Sequence, residues 1–214
     1  LRASSGNTGT TPSTAATRGS ITYGDGTGWY NVDLRGIWRP DGNVSSAHQV
    51  SFGFHTDTYT TKSDKFDLVS GSNWQSSNAG ALNTNSRGET TTSALYVQDA
   101  WRFAPDWMLT SGLRLESFQA HDGSQYFAGP PVVQQSYAKR SLHAASPKLS
   151  LAWTVADDLL LRASYGRGVR FPNVDELFNG TKTGNSITTS DPNLRPEVSR
   201  SFELAAEKFW GEHW

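Results

Sequence analysis

The stretch that decides the fold is Ser93–Ser117, which reads SALYVQDAWRFAPDWMLTSGLRLES. In its second half three leucines alternate with polar residues, so that the leucines share one face and Arg114 and Glu116 share the other. A period of two with one apolar and one polar face is typical of an antiparallel strand. Only residues 104–106 separate this strand from the strand-like segment before it. The stretch therefore predicts two strands joined by a tight turn.

The same alternation recurs along the chain in segments of about ten residues, whereas helical periodicity is nearly absent. Residues 1–28 are rich in Ser, Thr, Gly and Asn and are interpreted as a polar loop or linker, with a short strand at Ser20–Tyr23. In the segment Ser93–Phe103 the sequence does not decide which face is apolar, because Leu95 and Val97 share a face with Asp99. The seven predicted strands are Tyr30–Trp38, Val50–Tyr59, Ser93–Phe103, Trp107–Ser117, Pro147–Val155, Leu159–Gly166 and Ser199–Lys208.

The connections between these strands alternate in length. Short turns follow Trp38, Phe103 and Val155, and long polar connections occupy residues 60–91, 119–143 and 169–196. A transmembrane β-barrel has this pattern, with short periplasmic turns on one side and longer extracellular loops on the other. The sequence therefore predicts an all-β fold, an antiparallel transmembrane β-barrel of which the chain supplies seven or eight strands.

The aromatic and charged residues agree with a barrel. Tryptophans near the short turns or the chain's end would form the interfacial girdle of a membrane barrel; they are Trp38, Trp101, Trp107, Trp153 and Trp210. Alternatively, these tryptophans fill a soluble core. The polar positions carry charges that a dry core would not hold unpaired, although a single sheet with one solvated face is also compatible with them. These charges are Asp33, Arg35, His55, Asp57, Arg114, Glu116, Lys148, Arg162, Glu203 and Glu207.

Composition narrows the function classes. The 214 residues carry 19 basic and 20 acidic side chains, which is not the charge of a nucleic-acid binder. The absence of cysteine excludes disulfides, thiolate metal sites and a cysteine nucleophile. The five histidines lack metal-ligand spacing, and no nucleophile elbow or phosphate-binding loop is present. We expect no enzymatic activity, no cofactor and no metal site.

Three stretches together resemble the TonB-dependent outer-membrane receptors. The first is Ala94–Trp101, followed by Gly112–Glu116; it resembles the hairpin motif of that family. The second begins at Ser146-Pro147-Lys148 and continues through Leu161–Phe178, with the core Gly-Val-Arg-Phe-Pro-Asn. The third is Asp191–Glu197, DPNLRPE, followed by Ser199 and Glu203. The resemblance covers roughly residues 90–210, and residues 29–60 fit the barrel pattern without a sharp motif.

The resemblance implies a 22-stranded barrel with a plugged lumen. Residues 29–214 would then be about a third of the barrel, and the plug domain and the remaining strands would lie outside this sequence. Asp175 and Glu176 are placed on one strand, pointing to opposite faces, and both Glu176 and Glu197 are interpreted as structural. The family-motif residues with expected structural roles are Gly168, Arg170, Pro172, Asn173, Glu176, Leu177, Pro192, Asn193, Leu194, Pro196 and Glu197.

The resemblance also implies a function and partners. The protein would take up a scarce ligand across the outer membrane of a Gram-negative bacterium, and a ferric siderophore is the expected ligand. The TonB-ExbB-ExbD complex would supply the energy through the missing plug, and outer-membrane lipid would surround the barrel. Aromatic and arginine side chains in the long loops suit an anionic, ring-bearing ferric chelate. The candidate ligand contacts are Trp74, His121, Tyr126, Phe127, Tyr137 and Arg140.

Two rival functions share part of this pattern. A passive porin-like barrel has the same alternation and girdle but lacks the family segments. A secreted β-sandwich that binds glycans would account for the aromatic residues and the Ser/Thr/Asn-rich loops, but not for inward charges or alternating loop lengths.

Overall fold

The computed structural model describes residues 2–5, 18–69, 78–183 and 186–211. Among these residues there is no helix with the length and apolar character needed to span a membrane. The short helix α1 (Val174–Phe178) lies among strands. The strands are β1 (Arg2–Ser5), β2 (Arg18–Tyr23), β3 (Gly28–Trp38), β4 (His48–Leu68), β5 (Ala79–Ala104), β6 (Trp107–Phe127), β7 (Val133–Ser136), β8 (Arg140–Ala156), β9 (Leu159–Arg170), β10 (Gly180–Thr183), β11 (Ser186–Thr189) and β12 (Glu197–Lys208).

Most strands form one antiparallel sheet in the order β1-β2-β4-β5-β6-β8-β9-β12. Strand β3 pairs with β4 beside β2, β7 pairs with β6, and β10 and β11 form a separate hairpin. Within the described residues the sheet is open at both edges. Its short turns lie together at one end, called the short-turn end below, and its long connections lie at the opposite, loop end.

The predicted alternation is confirmed, and the register aligns it across the sheet. Phe54 lies opposite Leu95, and Leu95 lies opposite Leu115. The open register of the third predicted strand is settled, because Asp99 lies opposite Val50 and so shares the apolar side. This side is called the apolar face, and it includes Leu34, Phe52, Phe54, Leu95, Val97, Leu113, Leu115, Leu149, Leu151, Trp153, Tyr165, Phe202 and Leu204.

The opposite side, called the polar face, carries the ten charged residues expected there. Several of them pair along or between strands. Arg114 Nε lies 2.8 Å from Glu116 Oε1, and Arg162 Nη2 lies 3.2 Å from Glu207 Oε1. The polar face therefore neutralises part of its charge locally.

The strands are longer than the sequence predicts. Strand β4 has 21 residues and β5 has 26, about twice what a membrane crossing needs. The predicted long connections 60–91 and 119–143 are therefore largely strand. Toward the loop end both faces are polar, so the apolar alternation that reveals a strand is lost. Cross-strand hydroxyl pairs occur there instead, with Thr58 Oγ1 lying 3.0 Å from Thr91 Oγ1.

The N-terminal stretch also differs from the expected loop. Strand β2 contains the predicted short strand Ser20–Tyr23, and β1 pairs with β2. Ile21 is buried, and β2 extends the sheet along the loop end of β4. Hydrogen bonding between neighbouring strands organises Arg2–Ser5 and Arg18–Tyr23 despite their low apolar content.

Aromatic rings cluster at the short-turn end of the apolar face, as predicted for three of the tryptophans. Ring centroids lie 5.4 Å apart for Trp101 and Phe103, 6.1 Å for Phe103 and Trp107, and 5.0 Å for Trp107 and Trp153. His48 extends this row by stacking on Trp101 at 5.4 Å. These five rings are called the aromatic ribbon.

Candidate functional site

The loop end of the polar face is covered by the chain itself. Residues 171–196, called the covering segment, leave β9 and return to β12, and residues 184–185 within it lie outside the described part. Helix α1 packs on Phe118 and Ala120 of β6. These two positions continue the polar face of Arg114 and Glu116 by alternation. The covering segment therefore lies on the inner side of a barrel whose apolar face is outside.

An apolar cluster holds the covering segment in place. Phe118, Leu177 and Phe178 are almost completely buried, at 1%, 0% and 2% exposure. The Phe171 ring stacks on Phe118 with a centroid distance of 4.9 Å and an interplanar angle of 2°. Burying each large side chain contributes on the order of 1.5–3 kcal/mol. This cluster is the principal buried core of the described residues.

The Phe178 ring fits only because two facing residues lack side chains. A Cβ atom at Gly88 of β5 or Gly123 of β6 would overlap the ring. Gly123 follows a register shift in the β5–β6 pairing, and Asp122 adopts a φ of 55° there. This bulge reverses the alternation of β6, which brings Gly123 and Gln125 to the inner side.

Gln125 connects three parts of the site through hydrogen bonds. Its Nε2 donates to the carbonyl oxygens of Phe178 and Asn179, both at 2.8 Å. Its Oε1 accepts from the Tyr137 hydroxyl at 3.0 Å. Gln125 is only 2% exposed, and Tyr137 also stacks on Phe178 at 5.7 Å. Partial burial raises the pKa of the Tyr137 hydroxyl.

The start of the covering segment is fixed by an ionic cluster. The Arg170 guanidinium donates to both oxygens of Glu176 at 3.0 and 3.1 Å, and to both oxygens of Glu197 at 3.0 and 2.9 Å. The bond from Arg170, together with a backbone bond from Asn173, holds the pKa of Glu176 below its ordinary range. The three side chains thus link β9, α1 and β12.

The placement of Asp175 and Glu176 on a strand is wrong. Both lie in the first turn of α1, where Asn173 is the N-cap. Asn173 Oδ1 accepts from the Glu176 backbone N–H at 2.8 Å, and Glu176 Oε2 accepts from the Asn173 N–H at 2.8 Å. A helix of five residues is too short to show a helical period in the sequence, so the capping-box pattern is the feature that could have predicted α1.

The end of the covering segment is bound to β8. Arg140 Nη1 donates to the carbonyl oxygens of Leu194 at 2.7 Å and Pro192 at 3.3 Å. A turn within this segment is closed by Asp191 Oδ1, which accepts from the Asn193 N–H at 2.8 Å. The family-motif residues 191–194 thus form a tight turn, which Arg140 of β8 binds through hydrogen bonds to its carbonyl oxygens.

The structure divides the predicted ligand contacts. Phe127 has no exposed surface, while Tyr137 and Arg140 support the covering segment from the inner side. His121 and Tyr126 lie on the same side of the sheet as the apolar face, but at the loop end, where that side is polar. His121 there contacts Glu89 at 3.3 Å and Asp122 at 2.8 Å. Trp74 lies outside the described residues.

An aromatic pair beside the covering segment was missed from the sequence. Trp29 of β3 and Tyr59 of β4 stack with a centroid distance of 6.4 Å and remain 67% and 42% exposed. Alternation places both on the polar face, in the row that continues to Ala120 and Arg140. The signal was available, because an aromatic residue at a polar-face position has no lipid or core to enter.

The polar face also carries a cluster near its β3 edge. His55 lies between Asp33 and Asp57, with its Nδ1 and Nε2 each 2.9 Å from a carboxylate oxygen. Both ring nitrogens are thereby engaged in hydrogen bonds. No group of three or more acidic, histidine or cysteine side chains in the described part of the chain is arranged to hold a metal ion.

Comparison with known proteins agrees with this architecture. The family model described as TonB dependent receptor-like, beta-barrel, matches residues 1–214. No curated protein matches the chain. The solved structure of the ferric citrate transporter FecA in its unliganded form is similar, with a TM-score of 0.56 and 19% identity over 90% of this chain and 26% of that one.

A second similar structure is the closed form of the ferric-catecholate import receptor Fiu from E. coli K12. It has a TM-score of 0.57 and 15% identity, over 89% of this chain and 29% of that one. At these identities the likeness concerns the fold alone. This chain spans between a quarter and a third of the length of the two solved structures. On the family match over its whole length, the chain belongs to the TonB-dependent receptor family and forms part of the β-barrel.

Proposed function

We propose that the intact protein imports a ferric chelate across the outer membrane of a Gram-negative bacterium, using energy from the TonB-ExbB-ExbD complex. The family membership supports TonB-type transport and that location. The two similar structures are a ferric citrate transporter and a ferric-catecholate import receptor, which supports a ferric chelate as the ligand class. The chain's role is to hold and guide a ligand, without a chemical step.

The observation that carries this proposal is the covered inner surface. The apolar face is continuous and exposed, as a lipid-facing surface must be. At the loop end, the covering segment packs on the polar face. A passive pore needs an open passage at this level. A segment fixed by Arg170, Gln125 and Arg140 instead narrows the entrance and shapes it, which suits selective capture.

We propose the exposed inner aromatic pair as a ligand contact in addition to the loop residues. Trp29 and Tyr59 offer ring faces toward the lumen, and ring-bearing chelates stack on such faces. Tyr137 and Arg140 are half-buried at the edge of the covering segment and keep part of their surface available. Contact through Phe127 requires the covering segment to move, because Phe127 packs against Gly180.

Uptake of iron-55 as ferric citrate or a ferric catecholate by cells that produce the intact protein tests this proposal. We expect accumulation that depends on the receptor and disappears in a strain lacking TonB. Accumulation that persists without TonB would favour a passive pore. Absence of accumulation with both chelate classes, despite receptor in the outer membrane, would contradict a ferric chelate as the ligand.

The aromatic pair is tested by Trp29→Ala, with Tyr30→Ala as the matched control. Tyr30 is the next residue of β3, is 60% exposed, and faces the opposite side of the sheet. We expect Trp29→Ala to weaken chelate binding about tenfold, the loss of one good stacking contact. Equal affinities for the two variants would remove the aromatic pair from the site.

A further inference from the structure

An acidic side chain lies on the apolar face, where lipid is expected. Asp99 lies opposite Val50 on β4 and Ser111 on β6, two residues along β5 from Trp101. Its Oδ1 is buried without a hydrogen-bond partner among the described residues. An ionisable residue on a lipid-facing surface is costly and marks a functional site by default. Asp99 therefore calls for a partner.

His48 is a partial partner, and its geometry is specific. His48 Nδ1 lies 2.7 Å from Asp99 Oδ2, and the imidazole stacks on Trp101 with an interplanar angle of 10°. A carboxylate bonded to Nδ1 fixes the ring and makes Nε2 the acceptor in the neutral imidazole. The His48 side chain remains 41% exposed. The dyad thus presents a basic nitrogen at the surface of the apolar face.

Among the described residues, no lysine or arginine neutralises this dyad on its own face. Its cross-strand neighbours there are Trp38, Val50, Leu109 and Ser111, none of which carries charge. With a neutral imidazole the dyad has a net charge of −1. The complementary partner is a cation with N–H donors that reaches the aromatic ribbon from the lipid.

The depth of the dyad indicates where that cation comes from. Trp101 belongs to the aromatic ribbon, and aromatic rings of this kind collect at the headgroup level of a bilayer. Asp99 lies two residues further along β5 toward the membrane interior, about 7 Å along the strand at 3.3–3.4 Å per residue. The ammonium group of a phospholipid headgroup lies within reach of this level, and the aromatic faces favour a cation there.

We propose that His48 and Asp99 form a binding site for a phospholipid with a primary ammonium headgroup, phosphatidylethanolamine. His48 Nε2 accepts one ammonium N–H, and the Trp101 ring face stabilises the positive charge. A quaternary ammonium headgroup has no N–H to donate, and an anionic headgroup meets the Asp99 carboxylate. This proposal rests on the membrane location in the proposed function, but not on the identity of the transported ligand.

Native mass spectrometry of the intact, delipidated protein tests the site. The protein is titrated separately with phosphatidylethanolamine, phosphatidylcholine and phosphatidylglycerol of the same acyl chains. We expect about tenfold tighter retention of phosphatidylethanolamine, the equivalent of one charge-assisted hydrogen bond. Equal retention of the three lipids by the wild type would overturn the proposal.

Two variants and one control locate the effect. His48→Phe keeps a ring beside Trp101 but removes Nε2, and Asp99→Asn removes the charge with little change in volume. Both are expected to abolish the preference. The control is His143→Phe. His143 lies on β8 opposite Ser117, on the same face of the sheet as His48, and it is exposed without a partner among the described residues. A preference that survives in Asp99→Asn, or that His143→Phe abolishes equally, contradicts the site.

The failure of this site and the failure of the proposed function give different results. A protein that resides in the outer membrane and shows no headgroup preference overturns only the lipid site. A protein with the preference but no ferric chelate uptake overturns only the ligand assignment. A protein absent from the outer membrane overturns both.

Discussion

The two ends of the polar face are built from the same strands and differ in what lies against them. Midway along β6, Arg114 pairs with Glu116 at 2.8 Å, and the Arg114 side chain remains 34% exposed. Further along the same strand, Phe118 and Ala120 are at most 2% exposed beneath α1. The alternation is the same, but its polar positions become apolar once the covering segment packs on them.

The difference shows that the residue type at a polar-face position indicates what packs against that position. Charged side chains there indicate water or another polar surface, and glycine with aromatic residues indicates packed polypeptide. A Cβ atom at Gly88 or Gly123 would overlap the Phe178 ring, whereas a Cβ atom at Gly166 of β9 would have only Ser201 Oγ nearby, at 3.4 Å. The first region is a packed core and the second an open wall.

The largest effect is expected from Phe178→Ala. Truncating a buried phenylalanine costs about 3–5 kcal/mol, and here the loss falls on the contact between α1 and the sheet. We expect the covering segment to detach, so that trypsin cleaves after Lys182 much faster than in the wild type. Phe202→Ala is the control, because Phe202 lies on the apolar face and is 70% exposed. Equal cleavage rates in both variants would show that α1 is not held by this ring.

A smaller loss is expected from Gly88→Ala. The added methyl group overlaps the Phe178 ring and forces a rearrangement that costs about 1–3 kcal/mol. Gly166→Ala adds the same methyl group where ordinary contact is available. Thermal unfolding of the intact protein, followed with the trypsin assay, should show a loss for the first variant alone. A loss of the same size in Gly166→Ala would erase the distinction between core and wall.

Gln125→Leu should destabilise the covering segment to a similar or smaller extent. The change leaves the carbonyl oxygens of Phe178 and Asn179 and the Tyr137 hydroxyl without this partner. Of the three residues only Phe178 is buried, so the cost is that of one unsatisfied buried group, about 1–3 kcal/mol. Gln98→Leu, on the open part of the polar face, is the matched control. Amide hydrogen exchange in residues 174–180 should accelerate only in Gln125→Leu, and unchanged protection would contradict the role of this side chain.

The smallest effect concerns acid. Because the pKa of Glu176 is lowered in the folded protein, its contribution is fully present above the ordinary glutamate value of about 4.3 and is lost as pH falls through the lowered pKa. Trypsin is replaced by pepsin, and cleavage in the covering segment should rise in that acidic range. Glu176→Gln should weaken this pH dependence, and the remainder comes from Glu197, which shares the Arg170 guanidinium. A pH profile that is the same in both proteins would show that Glu176 does not help to hold the covering segment on the sheet.

The sequence was sufficient to predict the sheet wherever one face is apolar. Leu113 and Leu115 alternate with Arg114 and Glu116, and this contrast determines both the strand and its orientation. The prediction ended where the contrast ended, so the Thr-rich ends of β4 and β5 were interpreted as loop. Their strand character depends on cross-strand pairing, which no single segment displays.

The candidate site was only partly predictable. The family motif predicts structural roles for Arg170, Glu176 and Glu197, and the structure joins these three side chains in one ionic cluster. The contact between Phe178 and Gly88 joins residues 90 positions apart, so neither reveals the other in sequence. Tyr137 and Arg140 were chosen for ligand chemistry alone, and their bonds to the covering segment depend on that same long-range packing.

The central claim is that the apolar face meets lipid and the polar face encloses the lumen. These 214 residues contain no cysteine. Single cysteines at positions 109 to 116 of the intact protein, with any cysteine elsewhere in it replaced by serine, can each carry a nitroxide in outer membranes. The account predicts that collision with dissolved oxygen peaks at 109, 111, 113 and 115 and falls at the positions between them. A profile without a period of two, or with its peaks at 110, 112, 114 and 116, would contradict it.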